Sequence, residues 1–87
     1  MKIRYSSLFK KKVQAMKPEM KKRLKMKLSL LIDDPKHPSL RTKKIKGTDG
    51  IFELSVTMAV RLTFEYTESG DLLLRNIGEH DATLKNP

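Results

Sequence analysis

The spacing of apolar residues changes once along this chain of 87 residues, and that change constrains the fold more than any other feature. From Phe9 to Leu31 apolar residues recur every three or four positions, which places their side chains on one face of an α-helix. From Phe52 to Tyr66 they alternate with polar residues, as on a half-buried strand. A helical first half followed by a stranded second half predicts an α+β fold.

Prolines and capping residues predict where the helices begin and end. The hydroxyl of Ser6 or Ser7 can accept hydrogen bonds from the free N–H groups of a first helical turn. Pro18 ends this helix and is suited to begin a second one, because its missing N–H costs nothing in a first turn. Asp33-Asp34-Pro35 ends the second helix, since the residue before a proline avoids the helical conformation. The two helices therefore form a hairpin.

Strands are predicted on both sides of the helical hairpin, at residues 2–5, 52–58, 62–66 and 72–77. The order is β-α-α-β-β-β in a single domain spanning residues 1–87, with the two-helix hairpin packed on a small, mostly antiparallel sheet. The last strand is almost continuously apolar, which is typical of an interior strand. Residues 35–50 are predicted to form a loop, and residues 85–87 a frayed end.

The alternation also assigns the side chains of the sheet to two faces. Phe52, Leu54, Val56 and Met58 are expected to face the helices, together with Leu62, Phe64 and Tyr66. The opposite face is expected to be partly open and to carry four polar side chains, which are Glu53, Ser55, Arg61 and Thr63. A site built there would lie on rigid strands.

Charge is distributed unevenly along the chain, whose net charge is +9. Residues 1–46 hold 16 Lys or Arg against three Asp or Glu, whereas residues 47–87 hold three against seven. A one-sided basic field attracts polyanions, of which nucleic acid is the most common, and it also attracts acidic proteins. A third interpretation is that the lysines only keep a small protein in solution.

Several classes of protein are disfavoured by composition. The chain has no Cys, so it cannot form a disulfide or a thiolate metal site. Its two His residues are far apart in sequence, and we expect neither a metal nor a cofactor. No apolar run has the length of a signal peptide or a membrane-spanning helix. We therefore expect a cytoplasmic protein that does not bind a membrane.

Five features in a fixed order resemble the RelE/ParE toxin superfamily, over Ile3 to about Leu84. One is the position of Phe9 soon after the first strand; the others resemble the family's D-P-x-x-P, K-L-x-G, Y-R-L-x-Y and I-G-x-H-x segments. In this chain they are Asp34-Pro35-Lys36-His37-Pro38, Lys44-Ile45-Lys46-Gly47, Val60-Arg61-Leu62-Thr63-Phe64 and Ile77-Gly78-Glu79-His80-Asp81. The last segment is most similar to the YafQ-like branch of the RelE toxins.

The resemblance implies the toxin of a bacterial type II toxin–antitoxin system. Toxins of this branch enter the ribosomal A site and cleave mRNA without a metal, which stops translation. The implied partners are mRNA, ribosomal RNA and a cognate antitoxin protein. The toxin is expected to be a monomer alone and to form a hetero-oligomer with the antitoxin.

Metal-independent RNA cleavage needs a group that moves protons and a group that stabilises the phosphate. His80 matches the family's His and is the best general acid or base, because imidazole accepts and donates protons near neutral pH. Arg61 matches the family's arginine, and its planar guanidinium can bind a phosphate with two hydrogen bonds. Glu53 is a candidate base. The alternatives are a surface His at a strand end, and an Arg61 that pairs with Glu53 or Glu65.

Basic residues before the sheet are predicted to bind RNA phosphates, with Arg75 as a possible second contact on the last strand. Those before the sheet are Arg41, Lys43, Lys44 and Lys46. The lysines of the helices either contact ribosomal RNA or are simply solvated. His37 is interpreted as structural or incidental.

Four positions depart from the family pattern and keep other functions open. Glu53 and Ser55 stand where some members have lysines, Lys43 stands where the YafQ-like branch has His, and Leu84 replaces an aromatic residue that stacks on a base. One alternative is a ParE-like toxin that binds DNA gyrase and catalyses nothing. Another is a degenerate module that binds only RNA or an antitoxin.

Overall fold

The computed structural model describes residues 2–87 and contains helices and a five-stranded sheet; Met1, which the predicted domain includes, lies outside the described residues. The α+β class predicted from the sequence is confirmed. The elements in chain order are β1 (Ile3–Tyr5), α1 (Ser7–Gln14), α2 (Pro18–Asp33), a 3₁₀ turn (Pro38–Leu40), β2 (Lys43–Lys44), β3 (Phe52–Ser55), β4 (Val60–Tyr66), β5 (Leu72–Glu79) and α3 (His80–Lys85).

The strands form one sheet in the order β1-β5-β4-β3-β2. Only β1 and β5 run parallel, and the other three pairs are antiparallel, so the sheet is mostly antiparallel as predicted. β5 lies in the interior of the sheet between β1 and β4, which confirms the interpretation of its apolar sequence. A register shift at Thr63 and Phe64 places Arg75 of β5 in a bulge, because Asn76 and Leu74 pair with those two residues.

The helical hairpin begins and ends at the residues that the sequence indicated. Ser6 caps α1, because its Oγ accepts a hydrogen bond from the main-chain N–H of Phe9 at 3.0 Å. The Ser6 hydroxyl also donates to the main-chain oxygen of Arg75 on β5. Pro18 is the first residue of α2, which ends at Asp33 before the Asp34-Pro35 step. None of the helices in the described part of the chain is long and apolar enough to span a membrane.

Replacing Ser6 with Ala should lower the free energy of unfolding by about 1–2 kcal/mol. The change removes the cap of α1 and also the hydrogen bond that joins this helix to β5. Urea denaturation followed by circular dichroism measures the difference. Ser7→Ala is the matched control, since Ser7 is the exposed first residue of the helix and should change stability by less than about 0.5 kcal/mol. Equal losses in the two variants would contradict this role of Ser6.

The core lies between the helical hairpin and one face of the sheet. Its buried apolar side chains come from α1, α2, the 3₁₀ turn and β3–β5, and they are Phe9, Leu24, Leu31, Leu40, Leu54, Val56, Leu62, Phe64, Leu72, Leu74 and Ile77. Val13, Met16, Met20 and Leu28 are partly buried against them. Both halves of the predicted helical stripe and most inward-facing positions of the strands thus contribute to one core, whereas Tyr66, which was also predicted to face the helices, is 47% exposed.

The predicted strand at residues 52–58 is too long, and the prediction that Met58 faces the core is wrong. β3 ends at Ser55, and the N–H groups of Val56 and Thr57 both donate to the main-chain oxygen of Val60. This pattern closes a turn over residues 56–59, which we call the β3–β4 turn. Met58 lies in that turn with 81% of its surface exposed. The prediction failed because apolar and polar residues continue to alternate in the sequence beyond Ser55, where the strand ends and the chain reverses.

Three elements were not predicted from the sequence, which are the 3₁₀ turn, β2 and α3. Lys43 and Lys44, in the expected loop at residues 35–50, form the short edge strand β2 beside β3. The expected frayed end is also wrong, because α3 and the residues after it pack on the sheet. Asn76 Nδ2 donates to the main-chain oxygen of Asn86 at 2.9 Å, and Thr63 Oγ1 donates to that of Pro87 at 2.9 Å.

The C-terminal segment changes the character of the second sheet face, which is the face opposite the hairpin. Thr63 and Asn76 are buried beneath this segment, and Thr83 of α3, which is part of the segment, is buried as well. Ser55, near the end of β3, is also buried. The prediction that this face is open at Ser55 and Thr63 is therefore wrong, because both side chains are buried. Thr63 is bound by the C-terminal residue Pro87, which the alternation of the strands does not report.

Candidate functional site

Strand register places the predicted site residues in two rows on the second sheet face. Residues opposite one another in antiparallel strands project to the same face. Glu53 of β3 lies opposite Thr63 of β4, and Ser55 lies opposite Arg61. Arg61 in turn lies opposite Gly78 of β5, which contributes no side chain. Glu53 and Arg61 are thus neighbours on adjacent strands, as the sequence alternation predicted.

Arg61 is anchored by the β3–β4 turn. Its Nη1 donates to the main-chain oxygens of Thr57 at 2.7 Å and Met58 at 2.9 Å. A third carbonyl, that of Val60 at the start of β4, lies 3.4 Å from Nη1. Within the described residues no hydrogen bond is made by Nη2, so that edge of the guanidinium has no protein partner.

Glu53 is the acidic neighbour of Arg61. The Glu53 Oε1 and Arg61 Nε atoms are 3.7 Å apart, which is an ion pair but is too long for a hydrogen bond. Only 13% of the Arg61 side chain and 15% of the Glu53 side chain are exposed. The pairing of Arg61 with Glu53 that the sequence left open is present, and the expectation that both lie on an open face is corrected: they are mostly buried at the rim of the covered region.

His80 is the first residue of α3, and not a residue at the end of a strand as one interpretation of the sequence had it. Its main-chain N–H donates to the oxygen of Ala59 at 2.9 Å. Its ring Nδ1 lies 2.9 Å from Asp81 Oδ1, and 42% of its side chain is exposed. With Nδ1 engaged by a carboxylate, Nε2 is the ring atom available to an outside group.

The β3–β4 turn connects Arg61 and His80. It accepts hydrogen bonds from the Arg61 guanidinium through Thr57 and Met58, and from the His80 main chain through Ala59. Glu79, which precedes His80, lies opposite Val60 at the start of β4 and caps α3 through its side chain. The structure therefore brings the Arg61 guanidinium and the main chain of His80 to the same four-residue turn.

The basic residues predicted to bind RNA fall into two groups. Arg41, Lys43, Lys44 and Lys46 are exposed and lie on or next to the edge strand β2. Lys43 is opposite Glu53, so this group adjoins the row that contains Glu53 and Thr63. We call these four residues the β2 basic group. Together they form a cationic edge of the sheet beside the candidate site.

Arg75 is separate from the β2 basic group. Its Nη1 pairs with Glu65 Oε2 at 3.2 Å, and its Nε donates to the main-chain oxygen of Pro87 at 3.1 Å. Three strand spacings, about 14 Å, separate β5 from β2 in the sheet. In this structure Arg75 fastens the C-terminal residues to the sheet, so it is not brought together with the other predicted RNA contacts.

Sequence reasoning missed the groups that cover the second sheet face. Asn76 and Thr63 are buried and bound to residues 86 and 87. Asn76 in an otherwise apolar strand was a signal, since a buried amide needs partners.

His37 has the structural role that was expected, because its Nδ1 accepts from the Ser39 N–H at the start of the 3₁₀ turn. In residues 2–87 no three His, Asp or Glu side chains cluster as a metal site would require.

Comparison with solved structures identifies the fold. The chain is similar to YafQ from E. coli strain BL21(DE3), with a TM-score of 0.77 and 22% identity over 92% of this chain and 93% of the other. It is similar to a chain of the E. coli RelBE toxin–antitoxin complex, with a TM-score of 0.72 and 14% identity over 90% of this chain and 94% of the other. It is also similar to a YoeB/ParE toxin from Agrobacterium tumefaciens, with a TM-score of 0.79 and 16% identity over 92% of this chain and 99% of the other.

The three structures share the arrangement of helices and sheet with this chain over almost their whole lengths. No protein-family model matches the sequence, and no curated protein matches it significantly. The resemblance that the five sequence features carried is confirmed at the level of the fold.

Proposed function

We propose that this chain, whose fold is that of the RelE/ParE toxins, is the toxin of a type II toxin–antitoxin system and cleaves mRNA at the ribosome. The observation that carries the proposal is that Arg61 and His80 both contact the β3–β4 turn, beside an exposed basic edge. A basic group that binds phosphate and a group that transfers protons are the two requirements of metal-independent RNA cleavage.

The reaction begins when the 2′-hydroxyl of a nucleotide loses a proton and attacks the adjacent phosphorus. The bond from phosphorus to the 5′-oxygen of the next nucleotide then breaks, and that oxygen gains a proton. The products are a 2′,3′-cyclic phosphate and a free 5′-hydroxyl, so protons and bonds balance without a metal. The enzyme contributes proton transfer and stabilisation of the charge that builds on the phosphate.

His80 would move the proton at Nε2. The contact of Nδ1 with Asp81 orients the ring and leaves Nε2 as the nitrogen that can meet a substrate. Neutral imidazole accepts a proton at this atom, and the protonated ring donates one. We assign His80 to proton transfer at the 2′-hydroxyl or the leaving 5′-oxygen. Glu53, at the rim of the same face, is the second candidate for the base.

Arg61 would bind the phosphate through the edge of its guanidinium that has no protein partner. The turn carbonyls fix Nη1, so the orientation of the planar group is established before substrate arrives. Such preorganised donors stabilise developing charge at no reorganisation cost. Lys43, Lys44 and Lys46 would bind neighbouring phosphates along the strand, which gives affinity without sequence preference.

A cognate antitoxin is the proposed protein partner. The solved relatives of this fold include a RelBE toxin–antitoxin complex. A positively charged chain that binds an RNA backbone would be blocked by an acidic segment held against the same surface. The ribosomal A site, bacterial origin and cytoplasmic location belong to this proposal as well.

One observation favours a second candidate function, a ParE-like toxin that acts on DNA gyrase without catalysis. Arg61 is mostly buried and is paired with Glu53, whose negative charge repels phosphate. Leu84 on α3, where the resemblance expects an aromatic residue, cannot stack strongly on a base. In this second reading Arg61 and Glu53 stabilise the β3–β4 turn and do no chemistry.

Induced expression in bacteria followed by primer extension on mRNA distinguishes the two functions. The proposal predicts growth arrest with new 5′ ends inside translated messages, and loss of those ends when ribosomes are kept from initiating. Growth arrest with intact mRNA and damaged chromosomal DNA would support the gyrase function and overturn the nuclease. Unimpaired growth together with tight, salt-dependent RNA binding would indicate a degenerate module.

A further inference from the structure

A cationic pocket of about 270 Å³ lies between α2, the 3₁₀ turn and the β3–β4 turn. It is separate from the surface that carries Arg61 and His80, although both adjoin the same turn. We call it the α2 pocket and define it by six of its lining residues, which are Arg23, Lys27, Arg41, Ser55, Thr57 and Met58.

Three cations meet in the α2 pocket without a carboxylate. Arg23 and Lys27 are four residues apart on α2, so they project from the same helix face. Arg41 faces them from the end of the 3₁₀ turn. Among residues 2–87, none of the three has an acidic group within 4.0 Å, whereas Arg4, Arg61 and Arg75 each have one. The charge gathered here is therefore not neutralised by the protein.

The surrounding structure holds these cations close together. Lys27 Nζ donates to the main-chain oxygen of Ser39 at 2.9 Å, which draws its ammonium group toward the 3₁₀ turn. Arg41 has a φ of 50°, a left-handed conformation uncommon for a side chain other than glycine. Its main-chain N–H donates to the oxygen of Pro38 at 3.1 Å and maintains that conformation. Like charges are thus held near one another by the backbone.

Hydroxyl and apolar groups complete the pocket. The main chain from Ser55 to Met58 also lines the pocket, and the hydroxyl of Thr57 can donate to a phosphate oxygen. Met58 forms a flexible apolar side of the pocket and is 81% exposed. Arginine forks, hydroxyl donors and an adjacent apolar side chain are the groups that contact a nucleotide's phosphate, sugar and base.

We propose that the α2 pocket binds a phosphate of the RNA strand whose neighbouring nucleotide occupies the Arg61–His80 site. The β3–β4 turn lies between the two sites: its carbonyls anchor Arg61, and Thr57 and Met58 line the pocket. A strand that crosses this turn passes from one site to the other. The inference rests on the proposed function in that the ligand is RNA. It adds Arg23, which no prediction named, and it singles out Lys27 from the helix lysines that were predicted to contact ribosomal RNA or be solvated.

The size of the pocket favours a phosphodiester over an acidic protein segment. Its volume of about 270 Å³ is just below the range of about 300–1,000 Å³ that is usual for small-molecule sites. A phosphate with part of its nucleotide is of that size. A helix or strand of a partner protein needs a longer surface than this pocket offers. An acidic peptide is the alternative occupant, and the test must exclude it.

Fluorescence anisotropy with a labelled 12-nucleotide oligouridine tests the proposal. The binding protein carries His80→Gln to prevent cleavage, and affinity is compared with and without the pair Arg23→Gln and Arg41→Gln. We expect the pair to weaken binding about tenfold or more at 0.1 M salt, and to lower the slope of log affinity against log salt by about 0.7, which is one single-strand phosphate contact.

Lys21→Gln with Lys25→Gln is the matched control, because it removes two charges from exposed positions of the same helix. We expect less than about a threefold change from this control, since only the general field is reduced. Equal weakening by the two pairs would overturn the pocket and leave a diffuse basic surface. Melting temperatures within a few degrees of one another establish that all variants are folded.

Two further outcomes complete the test. If the Arg23 and Arg41 pair leaves oligouridine binding unchanged but weakens binding of a labelled oligoglutamate peptide, the occupant is an acidic protein and the proposal is wrong. If inorganic phosphate at millimolar concentration displaces the oligouridine from the parent protein but not from the pair, a phosphate site is supported. Because these measurements use neither ribosomes nor cleavage, they succeed or fail independently of the nuclease function.

Discussion

Replacing His80 with Gln is expected to slow mRNA cleavage by about 10²–10⁴-fold and to leave the fold intact. Gln retains polarity and hydrogen-bonding capacity but cannot take up and release a proton near neutral pH. The side chain of His80 is 42% exposed, and its only side-chain hydrogen bond among the described residues is to Asp81, which is itself 79% exposed. The substitution therefore removes little that stabilises the folded chain.

Single-turnover cleavage of ribosome-bound mRNA measures the effect, with melting temperature as the test of folding. His37→Gln is the matched control, because it removes the other imidazole of the chain from a turn that takes no part in the proposed reaction. It should cleave at close to the parent rate. Cleavage by the His80 variant within about threefold of the parent would show that this imidazole transfers no proton in the rate-limiting step.

Replacing Arg61 with Ala is expected to abolish cleavage and also to lower the free energy of unfolding by about 2–4 kcal/mol. The guanidinium holds the β3–β4 turn through the oxygens of Thr57 and Met58. Its removal also leaves the mostly buried carboxylate of Glu53 without a cation. Urea denaturation measures the stability and the mRNA assay measures the activity.

Two companion variants separate these contributions. Arg61→Lys keeps the charge beside Glu53 but loses the planar fork, so we expect it to be more stable than Arg61→Ala and still to cleave poorly. Glu53→Gln removes the opposite charge and should cost less stability than Arg61→Ala, because the contacts of Arg61 with the turn remain. An Arg61→Ala protein as stable as the parent would contradict the anchoring of the turn.

A full cleavage rate in a folded Arg61→Lys protein would contradict phosphate binding by the fork. Cleavage that rises in Glu53→Gln would instead identify the Glu53 carboxylate as a group that weakens phosphate binding. A sharp fall in that variant would support Glu53 as the base. A rise or a fall in the cleavage rate of Glu53→Gln therefore shows whether the Glu53 carboxylate hinders or helps the reaction.

The helical hairpin could be predicted because its determinants are local. Ser6 and Pro18 act on the first turns that they begin, and Asp34-Pro35 acts on the turn that it ends. The same holds for the alternation in β3 and β4, which reports which side chains face a core. Met58 shows the limit of this reasoning, since apolar alternation does not reveal where the strand turns back.

The candidate site was predicted in part. Register confirmed that Glu53 and Arg61 share a face, because strand alternation alone determines the face of each side chain. Arg23 and Lys27 could not be selected from a helix that carries many basic residues. What distinguishes them is that they line a pocket with Ser39 and Arg41, which are 12 or more residues away in sequence. Arg75 looked like a free basic residue and is held by Glu65 and Pro87.

The sequence by itself determined the α+β class, the two helices and the face of each strand residue, because periodicity, capping and proline act over a few neighbouring positions. Only the tertiary structure decided what each face meets. Residues 80–87 return to cover Thr63 and Asn76, and the β3–β4 turn anchors Arg61 while it receives the main chain of His80. These contacts join residues distant in sequence, and their energies depend on burial and geometry that no local pattern encodes.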